Sequence, residues 1–279
     1  MDNAAVLSVR NLSVRYALPR RHLLEGRRYF EAVTDLSFDL PAGRSLGLVG
    51  ESGSGKSTTA RAVMAIEKPS AGSIHICGRD VTRLSARQLR DWRSRFQMVF
   101  QDPFASLDPR YTVERIVTEP IRGMSRAERR RQAAQTLDAV GLPESALDKY
   151  PHQFSGGQRQ RIAIARALIT KPALIVADEA VSALDVSVQA QVLNLMKDLQ
   201  ASSGVSYLFI GHDLGVVQYL CDEIIVMHRG RAVERGNARD IVNNPSEQYT
   251  KELITAMPRL GRRRRISIHD REDARPGHP

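Results

Sequence analysis

Apolar residues recur along this chain with two different periods, and the changes between them divide it into strands and helices. Val6 to Tyr16 alternates apolar and polar positions, the pattern of a half-exposed strand. A basic insert follows, Ala17 to Arg28, broken by Pro19 and Gly26. Alternation resumes from Ala32 to Leu40, and Pro41-Ala42-Gly43 reads as a turn. Short apolar runs then predict buried strands at Leu46 to Val49, Phe96 to Phe100, Ala173 to Ala177 and Val205 to Ile210. Ala71 to Gly78 is another strand-and-turn unit. Asp222 to Met227 and Arg231 to Glu234 predict a closing strand pair around His228 to Gly230.

The longer period marks helices. Thr58 to Ile66 is one. Arg126 to Gly141 is another, with Ala133, Leu137 and Val140 on one side and arginines on the other. Gly141-Leu142-Pro143 stops it. Ser155, with Gln158 three residues later, opens a helix with a capping-box pattern. It continues through Ile162, Ala165 and Ile169, and Pro172 ends it. Val188, Val192, Leu195 and Leu199 mark an amphipathic helix, and Glu247 to Met257 predicts a last one. Asp102 to Thr112 carries prolines and reads as irregular. The expectation is an α/β fold in which early antiparallel strands feed a parallel core.

Four apolar strands run directly into polar residues, after Val49, Phe100, Ala177 and Ile210. In open α/β sheets, ligands bind at the carboxyl ends of strands, so these four ends point to one site. The first end is the richest. Gly50, Glu51, Ser52, Gly53, Ser54, Gly55, Lys56, Ser57 and Thr58 fit G-x-x-x-x-G-K-[ST], the phosphate-binding P-loop. Glycines let backbone N–H groups curl round a phosphate chain. Lys56 adds charge near the outer phosphates, and the Ser57 hydroxyl is a Mg²⁺ ligand. Asp178-Glu179, after an apolar strand, is a Walker B arrangement: Asp178 holds Mg²⁺ through water and Glu179 polarises the attacking water. Gln101 can reach Mg²⁺ and that water, His212 can sense the γ-phosphate, and Tyr16 can stack on a base. Tyr29 and Phe30 rival Tyr16 for the last task. Singly, each of these residues is more often bland: a helix cap, a surface histidine, a core-edge aromatic.

Bulk properties narrow the partners. The 279 residues suit one large domain with an extension. Two distant cysteines, Cys77 and Cys221, argue against a disulfide scaffold or a cysteine-rich metal site. No signal-peptide pattern and no spanning apolar run is expected, so any membrane role comes through a partner. The formal net charge of +10 is concentrated in Arg20–Arg28, Arg126–Arg131 and Arg262–Arg265. Nucleic acid, an anionic membrane surface and plain solvation all suit such charge, and solvation is the default for each cluster alone.

Phe154-Ser155-Gly156-Gly157-Gln158-Arg159-Gln160-Arg161 resembles the signature motif of ABC ATPases. The order of motifs is also that family's: P-loop, Gln101 loop, signature, Asp178-Glu179, the Ser182-Ala183-Leu184-Asp185 D-loop, then His212. The resemblance spans about residues 6 to 235. It implies a RecA-like P-loop core with an antiparallel β-subdomain and an α-helical subdomain at about 104–165. It leaves 236–279 as a C-terminal extension and basic tail. It implies ATP and Mg²⁺, bound between two subunits, with Ser155, Gly156, Gly157, Gln158 and Asp185 serving the nucleotide of the partner.

A closer resemblance is to the ATPase subunits of oligopeptide, dipeptide and nickel importers. It is carried by Phe100 to Arg110, Val181 to Ser187, and Asn244-Pro245 with Tyr249 to Leu253. It implies two transmembrane permease subunits, an extracytoplasmic binding protein, and a peripheral place on the cytoplasmic face of the membrane. Ala180 stands where proline is usual and Gly211 where serine is common. Residues 246 to 248 depart from the usual His-Pro before the tyrosine. With no cysteine near the C-terminus, no Fe–S cluster is expected. The alternative is a non-transport ABC ATPase acting on nucleic acid or ribosomes. The paired ATPase domains or long coiled coil usual there are missing, so no nucleic acid partner is expected.

Overall fold

The computed structural model describes residues 5–19 and 26–256; residues 20–25 of the basic insert and the Arg262–Arg265 cluster lie outside them. The strands, in chain order, are β1 (Ala5–Ala17), β2 (Tyr29–Pro41), β3 (Ser45–Val49), β4 (Ala71–Ile76), β5 (Arg79–Asp80), β6 (Phe96–Val99), β7 (Leu174–Asp178), β8 (Ser206–Ile210), β9 (Glu223–His228) and β10 (Arg231–Asn237). The helices are α1 (Lys56–Val63), α2 (Ala86–Trp92), α3 (Pro103–Ser106), α4 (Val113–Thr118), α5 (Arg126–Ala139), α6 (Gly156–Leu168), α7 (Val186–Ser203), α8 (Leu214–Leu220), α9 (Ala238–Asn243) and α10 (Gln248–Ala256).

The strands form two sheets. One is antiparallel, in the order β2-β1-β4-β5. Its register sets Leu7 opposite both Leu40 and Ile76, and Val9 opposite both Phe38 and Ile74. Alternation in the sequence thus becomes one continuous apolar face. The other sheet has the order β10-β9-β3-β8-β7-β6, parallel except for β10. Its central strands are apolar throughout because both faces are covered. Leu174 and Val176 of β7 join α1 and the antiparallel sheet in one core, while Ile175 and Ala177 face a second core made with the helices.

Helices α3, α4 and α5 pack on α6, which also contacts β6 and α7. Arg130, from the arginine-rich face of α5, bonds Glu114 at 2.6 Å and Asp148 at 2.8 Å. That arginine ties α4, α5 and the following loop together, so at least one member of the cluster is structural.

Several short helices lie outside the sequence expectation. Pro103 to Ser106 is a single helical turn rather than irregular chain, with Ser106 N–H donating to Asp102 carbonyl at 3.1 Å. Helices α2, α4, α8 and α9 span at most two turns, too few for a period to emerge. Their caps were the available signal: Ser85, Thr112, Asp213 and Asn237 each accept a backbone N–H at the helix start. Helix α1 begins at Lys56, two residues earlier than its apolar pattern suggests.

Candidate functional site

The four strand ends converge as the parallel register requires. Asp178 pairs with Ile210, Ala177 with Val99, and Leu48 with Ile210, so the residues after β3, β6, β7 and β8 emerge together.

The P-loop links β3 to α1. At Gly55 φ is +104°, and a Cβ would lie 2.4 Å from the Ala32 carbonyl oxygen, so the loop must have glycine to turn there. Helix α1 has no side-chain cap, unlike α6. Its first N–H groups and dipole are left for an anion. Lys56 is buried and folded back on the loop, donating to the carbonyls of Gly50 at 2.8 Å and Glu51 at 2.7 Å. Burial lowers its pKa, with the charges of Glu179 and Asp178 acting the other way.

Across the cleft, the Ser57 hydroxyl approaches Asp178 Oδ1 at 3.5 Å. Burial, and after it the Glu179 charge, raises the Asp178 pKa above its usual value. Such a carboxylate gains from a cation nearby. Among the described residues, no three His, Cys, Asp or Glu side chains cluster as a complete metal cage. A hydroxyl and one carboxylate suit Mg²⁺, which keeps waters and takes substrate phosphates for its other ligands.

Glu179 sits at φ +48°, a left-handed conformation uncommon for a side chain with a Cβ. Its N–H donates to the Ile210 carbonyl at 2.8 Å, and its own carbonyl accepts from Ser182 N–H at 3.1 Å and Ser182 Oγ at 3.0 Å. The turn is therefore closed with Ala180 in the place of proline. Gln101 Nε2 donates to Glu179 Oε2 at 2.8 Å, and His212 Nδ1 lies 3.3 Å from Oε1. The side chain of Glu179 is 21% exposed and that of His212 61%.

A cleft of about 280 Å³ runs between these groups. Ser52, Gly53, Gly55, Lys56, Ser57 and Thr58 form its floor, Glu179 and His212 one wall, Tyr16 and Phe30 another. Tyr16 also donates its hydroxyl to Glu67 at 3.2 Å. Phe30 pairs with Tyr16 across β1 and β2 and is 53% exposed. Tyr29 does not line the cleft; the Arg15 guanidinium covers its ring at 4.6 Å.

Ser155, Gly156, Gly157 and Gln158 do not line this cleft. Ser155 caps α6 reciprocally with Gln158. A Cβ on Gly157 would fall 2.3 Å from Val188 Cγ1, so glycine is needed there to let α6 approach α7. Asp185 caps α7 through Val188 N–H at 3.0 Å. A second opening, about 1560 Å³, is a groove between the core and the helices. Exposed Ile66, Phe100 and Met124 line it, together with Arg90, Arg131 and Glu119.

Tyr249 is a residue with no site role in the sequence reading. It reaches the P-loop from α10, where its hydroxyl accepts Glu51 N–H at 3.2 Å.

Known proteins resemble this chain in sequence and in fold. Residues 33–182 match the ABC transporter family. The chain is 48% identical over 261 residues to a putative peptide import ATP-binding protein of Brucella ovis, covering 92% of this chain and 80% of that one. It is 46% identical over 263 residues to the oligopeptide transport ATP-binding protein OppF of Lactococcus lactis, covering 93% and 82%. Among solved structures, the dimeric post-hydrolysis state of the ATP-binding cassette MJ0796, bound to ADP and Pi, superposes with TM-score 0.71 at 29% identity. It covers 84% of this chain and 99% of that one.

Proposed function

This chain belongs to the ABC transporter family, and from that premise we propose that it is the ATP-hydrolysing subunit of an importer for di- or oligopeptides. The observation that carries the reading is the division of the site. The P-loop, Glu179 and His212 line one cleft, with Asp178 beside it against the Ser57 hydroxyl, while Ser155 to Gln158 do not line it. A second ATPase subunit, identical or related, would supply its signature helix to close this cleft and receive this chain's signature in return. The dimeric state of the MJ0796 cassette supports that pairing. The peptide cargo rests on the relatives from Brucella and Lactococcus.

In this reading the P-loop amides and Lys56 bind the phosphates, and Tyr16 with Phe30 flanks the base. Ser57, Asp178 and Gln101 would hold Mg²⁺, which supplies charge neutralisation on the outer phosphates. Glu179 takes the proton of the attacking water, and Gln101 and His212 orient its carboxylate. Lys56 leaves the loop carbonyls when phosphate arrives. Two signature helices drawn onto two nucleotides close the dimer, and hydrolysis removes the differential affinity that held it shut.

No helix among the described residues is long and apolar enough to cross a membrane. Attachment would come through two permease subunits, one of them seated in this chain's groove lined by Phe100, Ile66 and Met124, at the cytoplasmic face. A binding protein outside the membrane would deliver the peptide. Reconstitution tests this: the chain should co-purify with its permease subunits, and peptide-loaded binding protein should stimulate ATP hydrolysis in liposomes. Stimulation by RNA or ribosomes, with no response to peptide, would overturn the importer reading.

A further inference from the structure

The backbone of Glu51, in the P-loop, is gripped from two sides. Its carbonyl accepts Lys56 Nζ at 2.7 Å and Ser54 N–H at 3.2 Å, and its N–H donates to the Tyr249 hydroxyl at 3.2 Å. Tyr249 lies 198 residues further along the chain, on α10. Its ring stacks on His228, with centroids 4.0 Å apart and planes 14° from parallel. His228 ends β9, and the turn after it supplies the Gly230 N–H that donates to the Ser54 carbonyl at 3.0 Å. One side chain therefore touches both the hairpin that braces the P-loop and the P-loop itself.

Helix α10 is anchored independently of this contact. Glu234 on β10 accepts from Ser246 N–H at 2.8 Å, Ser246 Oγ at 2.6 Å and Glu247 N–H at 3.3 Å, just before the helix begins. Leu253 is buried in the helical-side core. The ring of Tyr249 would stack on His228 without its hydroxyl. The hydroxyl is the part that addresses the loop.

We propose that Tyr249 is a positioning residue for nucleotide: its hydroxyl holds the Glu51 peptide in place when Lys56 turns from the loop carbonyls to the phosphates. At that moment the Glu51 carbonyl keeps only the Ser54 N–H of its own loop, and among the described residues Tyr249 is the one side chain still holding this peptide from outside the loop. With Tyr249 present the loop stays open and ordered; without the hydroxyl, binding must also order the peptide. The importer-like segment Tyr249 to Leu253 is then a strap that couples docking of α10 to ATP affinity. This inference rests on the nucleotide reading of the P-loop.

The test uses the full chain and Tyr249→Phe, which keeps the ring and removes one neutral hydrogen bond. The Kd for ATP should rise about three- to tenfold. KM should rise alike, with kcat within about twofold of the native value, as for a lost ground-state binding contact. In the nucleotide-free protein, the Glu51 amide should exchange hydrogen faster while the thermal midpoint stays unchanged. Tyr249→Ala, which also removes the stack, should lower the midpoint and bind ATP no better than Tyr249→Phe. Native ATP affinity in Tyr249→Phe, with unchanged Glu51 exchange, would reduce Tyr249 to packing and overturn the proposal. A fall in kcat and thermal midpoint together would overturn it too, since that is the mark of general loosening. Failure of the native chain to bind ATP would strike the nucleotide reading instead, and the exchange measurement would still report on the strap.

Discussion

Gln101 donates its side-chain amide to Glu179 at 2.8 Å, so the group read as the catalytic base is already held by the loop that follows Phe100 at the edge of the larger groove. The other carboxylate oxygen faces His212. Glu179→Gln keeps the shape and loses the proton acceptor. Turnover should fall about 10²- to 10⁴-fold while ATP binding survives and an ATP-dependent dimer accumulates. Phosphate release and size-exclusion chromatography with MgATP measure both; unchanged turnover would take the base role away from Glu179.

Lys56 is buried with its ammonium on loop carbonyls. Lys56→Ala removes a charge-assisted contact to phosphate. ATP affinity should drop at least about tenfold. Equilibrium titration with a fluorescent ATP analogue checks this, and native affinity would count against the P-loop assignment.

Gly157→Ala forces a methyl into the space of Val188 Cγ1. Overpacking of this kind costs about 1–3 kcal/mol. Stability should fall by that amount and hydrolysis should collapse, yet ATP should still bind, because the cleft is built elsewhere. Adding Val188→Ala should restore the thermal midpoint. Loss of ATP binding in the folded double variant would contradict the two-halves arrangement.

Glu234 ties α10 to β10. Burial pushes its carboxyl up, and the hydrogen bonds led by Ser246 more than reverse this, so its folded pKa lies below the usual 4.5. Its stabilising contribution is therefore present above 4.5 and lost as pH falls through the lowered value. Glu234→Ala should cost about 1 kcal/mol at neutral pH, as loss of a helix cap does. The gap between native and variant should shrink in acid. Denaturant midpoints across pH give the answer; a gap that widens below pH 4.5 would reverse the assignment.

Much of this protein was legible locally. The central strands stood out because strands covered on both faces must be apolar without interruption. The P-loop stood out because only glycine tolerates φ +104° beside a carbonyl 2.4 Å from a would-be Cβ. The Ser155–Gln158 capping box was readable because its two partners are three residues apart. Helices α4 and α8 were not, since six and seven residues are too few for a period to emerge. Tyr29 was one of three candidate aromatics, and only the tertiary structure takes it out of the cleft, under the Arg15 guanidinium, while Tyr16 and Phe30 both line it.

The sequence by itself determined the motif set, the strand ends that carry it and the family resemblance, because each motif is a short-range pattern. The tertiary structure alone decided which distant groups meet. Gln101 reaches Glu179 over 78 residues, and Tyr249 reaches Glu51 over 198. Contacts at such separations depend on sheet order, register and helix docking, which are collective outcomes of core packing. No local period encodes them, and they are what bring a set of separate motifs together round one cleft, with its P-loop tied to α10.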